Sequence, residues 1–195
     1  MTKMYFAENP DAKHDIHKLK VELLGQQMTF LTDAGVFSKK MIDYGSRVLL
    51  SALEFNKKET LLDVGCGYGT LGLTLAKAQE LEVTLVDINQ RALDLARKNA
   101  DANQVSADIF QSNVYENVTG QFHHIISNPP IRAGKQVVHE VISGSYAHLL
   151  ADGDLTIVIQ KKQGAPSAKT KMEEVFGNCE TLKKDKGYYI LRSVK

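Results

Sequence analysis

Thr60-Leu61-Leu62-Asp63-Val64-Gly65-Cys66-Gly67-Tyr68-Gly69-Thr70-Leu71-Gly72 opens as an apolar run, breaks into glycines and then resumes with helical spacing. The run from Thr60 to Val64 reads as a short buried strand and Leu71 to Ala78 as a helix, so the glycines occupy a strand-to-helix turn. Glycines there accept positive φ and let a ligand lie against the backbone, while the helix N-terminus offers free N–H donors. Gly67 to Gly72 also spells G-x-G-x-x-G. Asp87 follows Gly67 by 20 residues, at the end of the next strand-like segment, where a carboxylate accepts both hydroxyls of a ribose.

Working outward, the flanking sequence alternates strand-like and helix-like segments. Upstream, Leu19, Val21 and Leu23 alternate, Gly25-Gln26-Gln27 can turn, and Met28 and Phe30 resume the alternation as a hairpin. Thr32 to Ser38 reads as loop, and Val48, Leu49, Ala52 and Leu53 have helical spacing. Downstream, strands fit Leu81 to Val86, Ala107 to Phe110, Phe122 to Ser127, Leu155 to Gln160 and Gly187 to Val194. Helices fit the segment after Asn89, a ready N-cap, and also Gln136 to Leu150 and Ser167 to Phe176. Such alternation predicts an α/β fold: a mostly parallel sheet with helices on both faces and ligands at the carboxyl ends of its strands. The expected division is an N-terminal extension of hairpin and loop, 1–45, and a catalytic domain, 46–195.

Composition narrows the function. The 195 residues are 43% hydrophobic and 24% charged, enough for a full core. No apolar run approaches the roughly 20 residues of a membrane span, and no signal segment opens the chain, so a cytoplasmic protein with no membrane partner is expected. Cys66 and Cys179 are far apart without metal-ligand spacing, so no metal is expected. The net charge of +1 argues against a binder whose affinity comes mainly from phosphate neutralisation, although a local basic face stays open.

Asp63 separates two cofactor classes. A carboxylate at the strand tip is repelled by the pyrophosphate of a dinucleotide and attracted by the ammonium and sulfonium of S-adenosylmethionine. A second feature is Ser127-Asn128-Pro129-Pro130-Ile131, which leaves the strand Phe122 to Ile126 at the same edge. Consecutive prolines make a rigid, extended shelf. The Asn128 side-chain oxygen and the Pro129 carbonyl are acceptors suited to the two hydrogens of an amine, whose lone pair then leaves conjugation and faces an electrophile.

Asp63 to Gly69 together with Ser127 to Ile131 resembles the class I S-adenosylmethionine-dependent methyltransferases that act on exocyclic amines. The closest likeness is to the methyltransferase small domain of the small-subunit ribosomal RNA guanine 2-amino methyltransferases. Gly35-Val36-Phe37-Ser38, Asp43-Tyr44-Gly45-Ser46, Ser112-Asn113-Val114-Tyr115 and Asn128 to Gly134 follow that family in order and spacing over nearly the whole chain. The resemblance implies a Rossmann-like, seven-stranded, mostly parallel sheet whose last strand is antiparallel, S-adenosylmethionine as cosubstrate and ribosomal RNA as partner. It places Asn128, Pro129, Pro130 and Ile131 against the target base, and Phe37, Asp63, Gly65, Gly67, Gly69, Asp87, Ile88, Asn113, Val114 and Asn128 around the cosubstrate. Asp63, Gly65 and Gly67 fall to its methionine end, Asp87 to the ribose, and Ile88 and Asn113 to the adenine.

Three departures stand out. Ile131 replaces the aromatic residue that often stacks on the flipped base, which makes stacking poorer. Asn113 replaces a frequent Asp, keeping an acceptor. The third is length: the bacterial enzymes carry a second, non-catalytic domain that is not expected in these 195 residues. Other readings stay open at this point: a protein glutamine or adenine amine as acceptor, a nicotinamide-dependent oxidoreductase, or a non-catalytic RNA-binding module. His123-His124 is read as strand packing, because strand neighbours point to opposite faces. Lys161-Lys162 follows a strand tip and can meet phosphate, Tyr5-Phe6 reads as a hydrophobic anchor, and Cys66 as a small filler of the glycine loop.

Overall fold

A computed structural model describes Glu8 and residues 13–195; the Tyr5-Phe6 anchor lies outside the described residues. The chain begins with an antiparallel hairpin, β1 (His17–Leu23) and β2 (Gln26–Thr32). It then runs α1 (Tyr44–Leu50), β3 (Thr60–Val64), α2 (Thr70–Gln79), β4 (Glu82–Asp87), α3 (Gln90–Asn103), β5 (Ala107–Gln111) and β6 (Phe122–Ser127). It closes with α4 (Lys135–Ser145), β7 (Leu149–Gln160), α5 (Ala165–Phe176), β8 (Glu180–Asp185) and β9 (Tyr188–Val194).

Seven strands form one sheet in the order β5-β4-β3-β6-β7-β9-β8. Pairs from β5 through β7 are parallel, and β9 runs against both its neighbours. This is the Rossmann-like, mostly parallel sheet expected, with the hairpin as a separate two-stranded ribbon. Alternation along the central strands splits the core in two. Leu61, Leu85, Ile126 and Val158 pack with α1, α2 and α3, whereas Leu62, Val86, Ile125 and Ile157 pack with α4 and α5. Helices therefore cover both faces.

The hairpin shares the first of these cores, since Met28 and Phe30 bury fully in it. Its outer backbone edge is satisfied by two asparagines one turn apart on α3. Asn99 accepts from Leu31 N–H at 2.7 Å and donates to the Leu31 carbonyl at 3.0 Å; Asn103 does the same for Thr29 at 2.9 and 2.7 Å. A buried strand edge without such partners would cost several unmet hydrogen bonds.

Some segments depart from the sequence reading. The hairpin turn is Leu24-Gly25, both with positive φ, which is the two-residue type I′ geometry; Gln26 and Gln27 are already paired with Leu23 and Glu22. The helix expected to reach Leu150 ends as an α-helix at Ser145, continues as a 3₁₀ turn over Tyr146–His148 and gives way at Leu149, which is already paired with Phe122. The strand expected at Leu155 therefore begins six residues earlier, at Leu149, with exposed Ala151 and Asp152 hiding its alternation. Strand β8 completes the seven strands expected, but the sequence pattern placed no strand there. It is an edge strand whose Lys183, Lys184 and Asp185 break apolar alternation.

Candidate active site

Strands β3 and β6 are parallel neighbours from which the chain winds outward in opposite directions, so the loops leaving their carboxyl ends flank a crevice. The glycine loop leaves β3, the Asn-Pro-Pro loop leaves β6, and between them lies a cavity of about 330 Å³. Ser127 Oγ donates to the Val64 carbonyl at 2.7 Å and ties the two loop origins together.

The glycine loop is folded back on β4. Gly65 and Cys66 N–H both donate to the Val86 carbonyl, at 2.9 and 3.0 Å. Gly65 and Gly67 have φ of 74° and 57°, and a Cβ at either would meet no atom within 4 Å. Both backbones thus face open cavity, a cradle for a ligand laid along them. Gly69 is different: its Cβ would lie 2.7 Å from Leu73, so this glycine serves the packing of α2. Cys66 is buried, which pushes its thiol pKa up, in keeping with a filler.

Two carboxylates sit behind this cradle. Asp87 lines the cavity; its Oδ2 accepts from Gly67 N–H at 2.8 Å and its Oδ1 from Asn89 N–H at 2.8 Å. Burial raises its pKa against the pull of these hydrogen bonds. Asp63 is fully buried behind Val64 and Gly65; Oδ2 accepts from Gly72 N–H at 3.0 Å, while Oδ1 has no partner among the described residues. Burial pushes this carboxyl up to about 7. An unpartnered buried carboxylate oxygen beside an open cradle fits a cationic ligand group, and the pair Asp87 and cradle fits a ribose.

The cavity wall is completed by Ile88 after β4, by Asn113 and Val114 after β5, and by Phe37 from the loop before α1. Ser112 fixes the β5 loop: its N–H donates to the Asp87 carbonyl, and its Oγ donates to the Val114 carbonyl. Asn128, Pro129, Pro130 and Ile131 line the opposite side. The Asn128 amide donates through Nδ2 to Asp43 Oδ2 and to Ser46 Oγ, each at 3.0 Å, so Oδ1 is the atom left to accept. After the prolines, Ala133 N–H donates to the Pro130 carbonyl and starts a 3₁₀ turn, Ile131–Ala133.

Every residue assigned to the site from sequence thus lines one cavity except Asp63 and Gly69, which stand behind it. Sequence reasoning did not assign Asp43, Ser46, Tyr68, Arg132, Gln160, Gln163 and Tyr188, which also line it. For Asp43 and Ser46 the Asp-x-x-Ser spacing signals a helix N-cap but not a place in the site: Asp43 Oδ2 accepts from Ser46 N–H at 3.0 Å. The others carried no signal. His123 and His124 lie at the opposite end of β6; His124 bridges Glu59 and Asp154 at 2.9 and 3.1 Å and stacks on Phe55, an ion-paired role beyond the packing expected.

The sequence profile of the methyltransferase small domain matches residues 27–192. An uncharacterized protein of Bacillus subtilis, YbxB, is 44% identical over the whole of both chains. The ribosomal RNA small subunit methyltransferase C of Erwinia tasmaniensis is 37% identical over 87% of this chain and 50% of its own. Among solved structures, the T. thermophilus 16S rRNA N2 G1207 methyltransferase, in complex with AdoMet and guanosine, superposes with a TM-score of 0.86. It is 29% identical, covering 95% of this chain and 52% of that one. The chain spans about half the length of these ribosomal RNA methyltransferases.

Proposed function

The chain belongs to the methyltransferase small domain family and is an S-adenosylmethionine-dependent methyltransferase; from that premise we propose that it methylates the exocyclic 2-amino group of a guanine in ribosomal RNA. The observation that carries this reading is the state of Asn128. With both amide hydrogens committed to Asp43 and Ser46, its oxygen is the atom left to accept from an amine in the cavity that the glycine cradle also lines. The named activity of the T. thermophilus relative, and the guanosine in its complex, point to the same acceptor.

When bound, S-adenosylmethionine supplies a methyl group on a cationic sulfonium, open to in-line attack. The remaining work is positioning, which can be worth about 7–11 kcal/mol. Gly65 and Gly67 take the methionine end against the backbone, with Asp63 behind them as countercharge. Asp87 accepts from the ribose hydroxyls, and Ile88, Asn113 and Val114 hold the adenine. Asn128 Oδ1 and the Pro129 carbonyl accept the two amine hydrogens, which points the lone pair at the methyl carbon. Pro130 and Ile131 support the base, and Phe37, 38% exposed at the rim, excludes water from above. As the N–C bond forms, the C–S bond breaks and the sulfur becomes neutral. The amine proton then leaves to water.

Charge near the cavity favours RNA as the carrier of the base. Arg132 lines the mouth, Lys161 and Lys162 lie between the lining residues Gln160 and Gln163, and Lys186 stands two residues before Tyr188. Lys161 N–H donates to the Gly187 carbonyl at 2.8 Å, which brings these lysines to one rim. Among the described residues none of the four has a carboxylate partner; Lys186 lies over the Tyr44 ring, 4.8 Å from its centroid, and Arg132, Lys161 and Lys162 are available to phosphates. No helix among the described residues is long and apolar enough to cross a membrane. On this reading the work is cytoplasmic, and residues 1–45 are an extension whose hairpin braces the glycine loop through Asn99, which also donates to the Tyr68 carbonyl.

The test is to methylate a ribosome-containing extract with methyl-labelled S-adenosylmethionine and then digest it. Label released by ribonuclease and resistant to protease supports the reading. Label released by protease would move the acceptor to a glutamine side chain. RNA binding without label in either fraction would leave a non-catalytic module.

A further inference from the structure

The Asn128 amide is not held by its own loop. Both of its hydrogens go to the start of α1, more than 80 residues earlier in the chain: to Asp43 Oδ2, 85 residues away, and to Ser46 Oγ, 82 residues away. The same Asp43 oxygen accepts from Ser46 N–H, so one carboxylate caps the helix and fixes the amide. The backbone around it is shaped to keep that oxygen in place. Gly45 lies two residues on, and a Cβ there would lie 3.0 Å from Asp43 Oδ2 and 2.8 Å from the Tyr188 ring.

From this geometry we infer that Asp43 is a positioning residue for methyl transfer: it sets which end of the Asn128 amide faces the incoming amine. An amide has a donor end and an acceptor end of nearly equal shape, and only the acceptor end is useful toward an amine that must give up hydrogen bonds and free its lone pair. A carboxylate accepts and never donates when ionised, so it admits only the Nδ2 end of Asn128. Ser46 alone cannot impose this, because a hydroxyl both donates and accepts. A charged partner on the Nδ2 side also polarises the amide and makes Oδ1 a stronger acceptor. Asp43 therefore acts through Asn128. This inference rests on the amine-transfer reading above.

The variant Asp43→Ser separates this role from helix capping, since serine caps about as well as aspartate but is too short to reach Asn128. Three measurements are made on it, on Asn128→Ala and on the double variant: S-adenosylmethionine affinity, single-turnover methyl transfer to RNA, and the side-chain amide signal of Asn128 by nitrogen-15 NMR in the protein without ligand. The inference expects affinity for S-adenosylmethionine within about twofold of wild type and a transfer rate reduced about tenfold or more. It also expects the two Asn128 amide protons to lose their protection from exchange, and the double variant to be no slower than Asn128→Ala alone. Unchanged transfer by Asp43→Ser, unchanged amide protection, or rate losses that multiply in the double variant would overturn the inference while leaving the amine reading intact. A wild-type protein that transfers no methyl group to RNA would overturn both.

Discussion

Asp87 Oδ2 accepts the Gly67 N–H at 2.8 Å, so the residue read as the ribose holder also sets the shape of the glycine cradle. Its other oxygen caps the backbone at Asn89, where α3 starts. Ribose recognition and loop conformation are thus coupled in one carboxylate. Asp87→Ala removes both, and S-adenosylmethionine affinity is expected to fall by at least the roughly 1.5–3 kcal/mol of hydrogen bonds to a charged group. Calorimetry finding unchanged affinity would show that the ribose is held elsewhere.

Asn128→Ala addresses the chemistry. Acceptor geometry that matters most as the amine pyramidalises lowers the barrier more than the ground state. Single-turnover transfer is therefore expected to slow by about a hundredfold or more, with cofactor affinity barely altered. Near-normal transfer would remove Asn128 from the mechanism.

The His124 bridge between Glu59 and Asp154 makes stability depend on pH, remote from the cavity. Burial alone would lower the His124 pKa, but its bonds to Asp154 and Glu59 outweigh burial and raise it above the usual 6.5. Its stabilisation is then complete below pH 6.5 and is lost as pH rises through the raised value. Glu59 is held down at about 2 by bonds to Asn56 and His124, so its share is present above about 4.5 and is lost as pH falls toward 2. His124→Gln should therefore lose most against wild type between about pH 4.5 and 6.5 and less at pH 9, solvent access limiting the difference. Parallel thermal denaturation curves across pH 5–9, with a constant gap between the proteins, would contradict this.

Asn99 carries the hairpin. Asn99→Ala would leave the Leu31 N–H and carbonyl and the Tyr68 carbonyl without their partner, two of them on the edge of β2. At about 1–3 kcal/mol for an unmet buried group, a loss of about 3 kcal/mol in urea unfolding is expected, with weaker cofactor binding because Tyr68 lines the cavity. A loss below about 1 kcal/mol would mean the hairpin is held mainly by Met28 and Phe30.

The sequence was most legible where local chemistry decides structure. Thr60 to Val64 and Phe122 to Ser127 are buried on both sides, so their apolar runs and following turn residues marked them to the residue. Asp87, Gly65, Gly67 and Asn128 were legible because each stands beside a turn at a strand end. Strand β8 was not, since an edge strand needs no apolar alternation. Nor was Asp43 legible as part of the site: its link to Asn128 spans the fold, and no local spacing encodes a contact between a helix cap and a loop 85 positions away. Asn99 and Asn103 were hidden in the same way, reading as ordinary polar positions of α3 until β2 is laid against them.

On the proposed function, the amine held by Asn128 is the 2-amino group of guanine in ribosomal RNA. The most direct measurement is nucleoside mass spectrometry of protein-free ribosomal RNA and of small ribosomal subunits after incubation with the protein and S-adenosylmethionine carrying a deuterated methyl group. Deuterated 2-methylguanosine is the labelled nucleoside expected, appearing with wild type and not with Asn128→Ala. Label in 6-methyladenosine, in a ring nitrogen or in ribose, or no labelled nucleoside at all, would contradict that function.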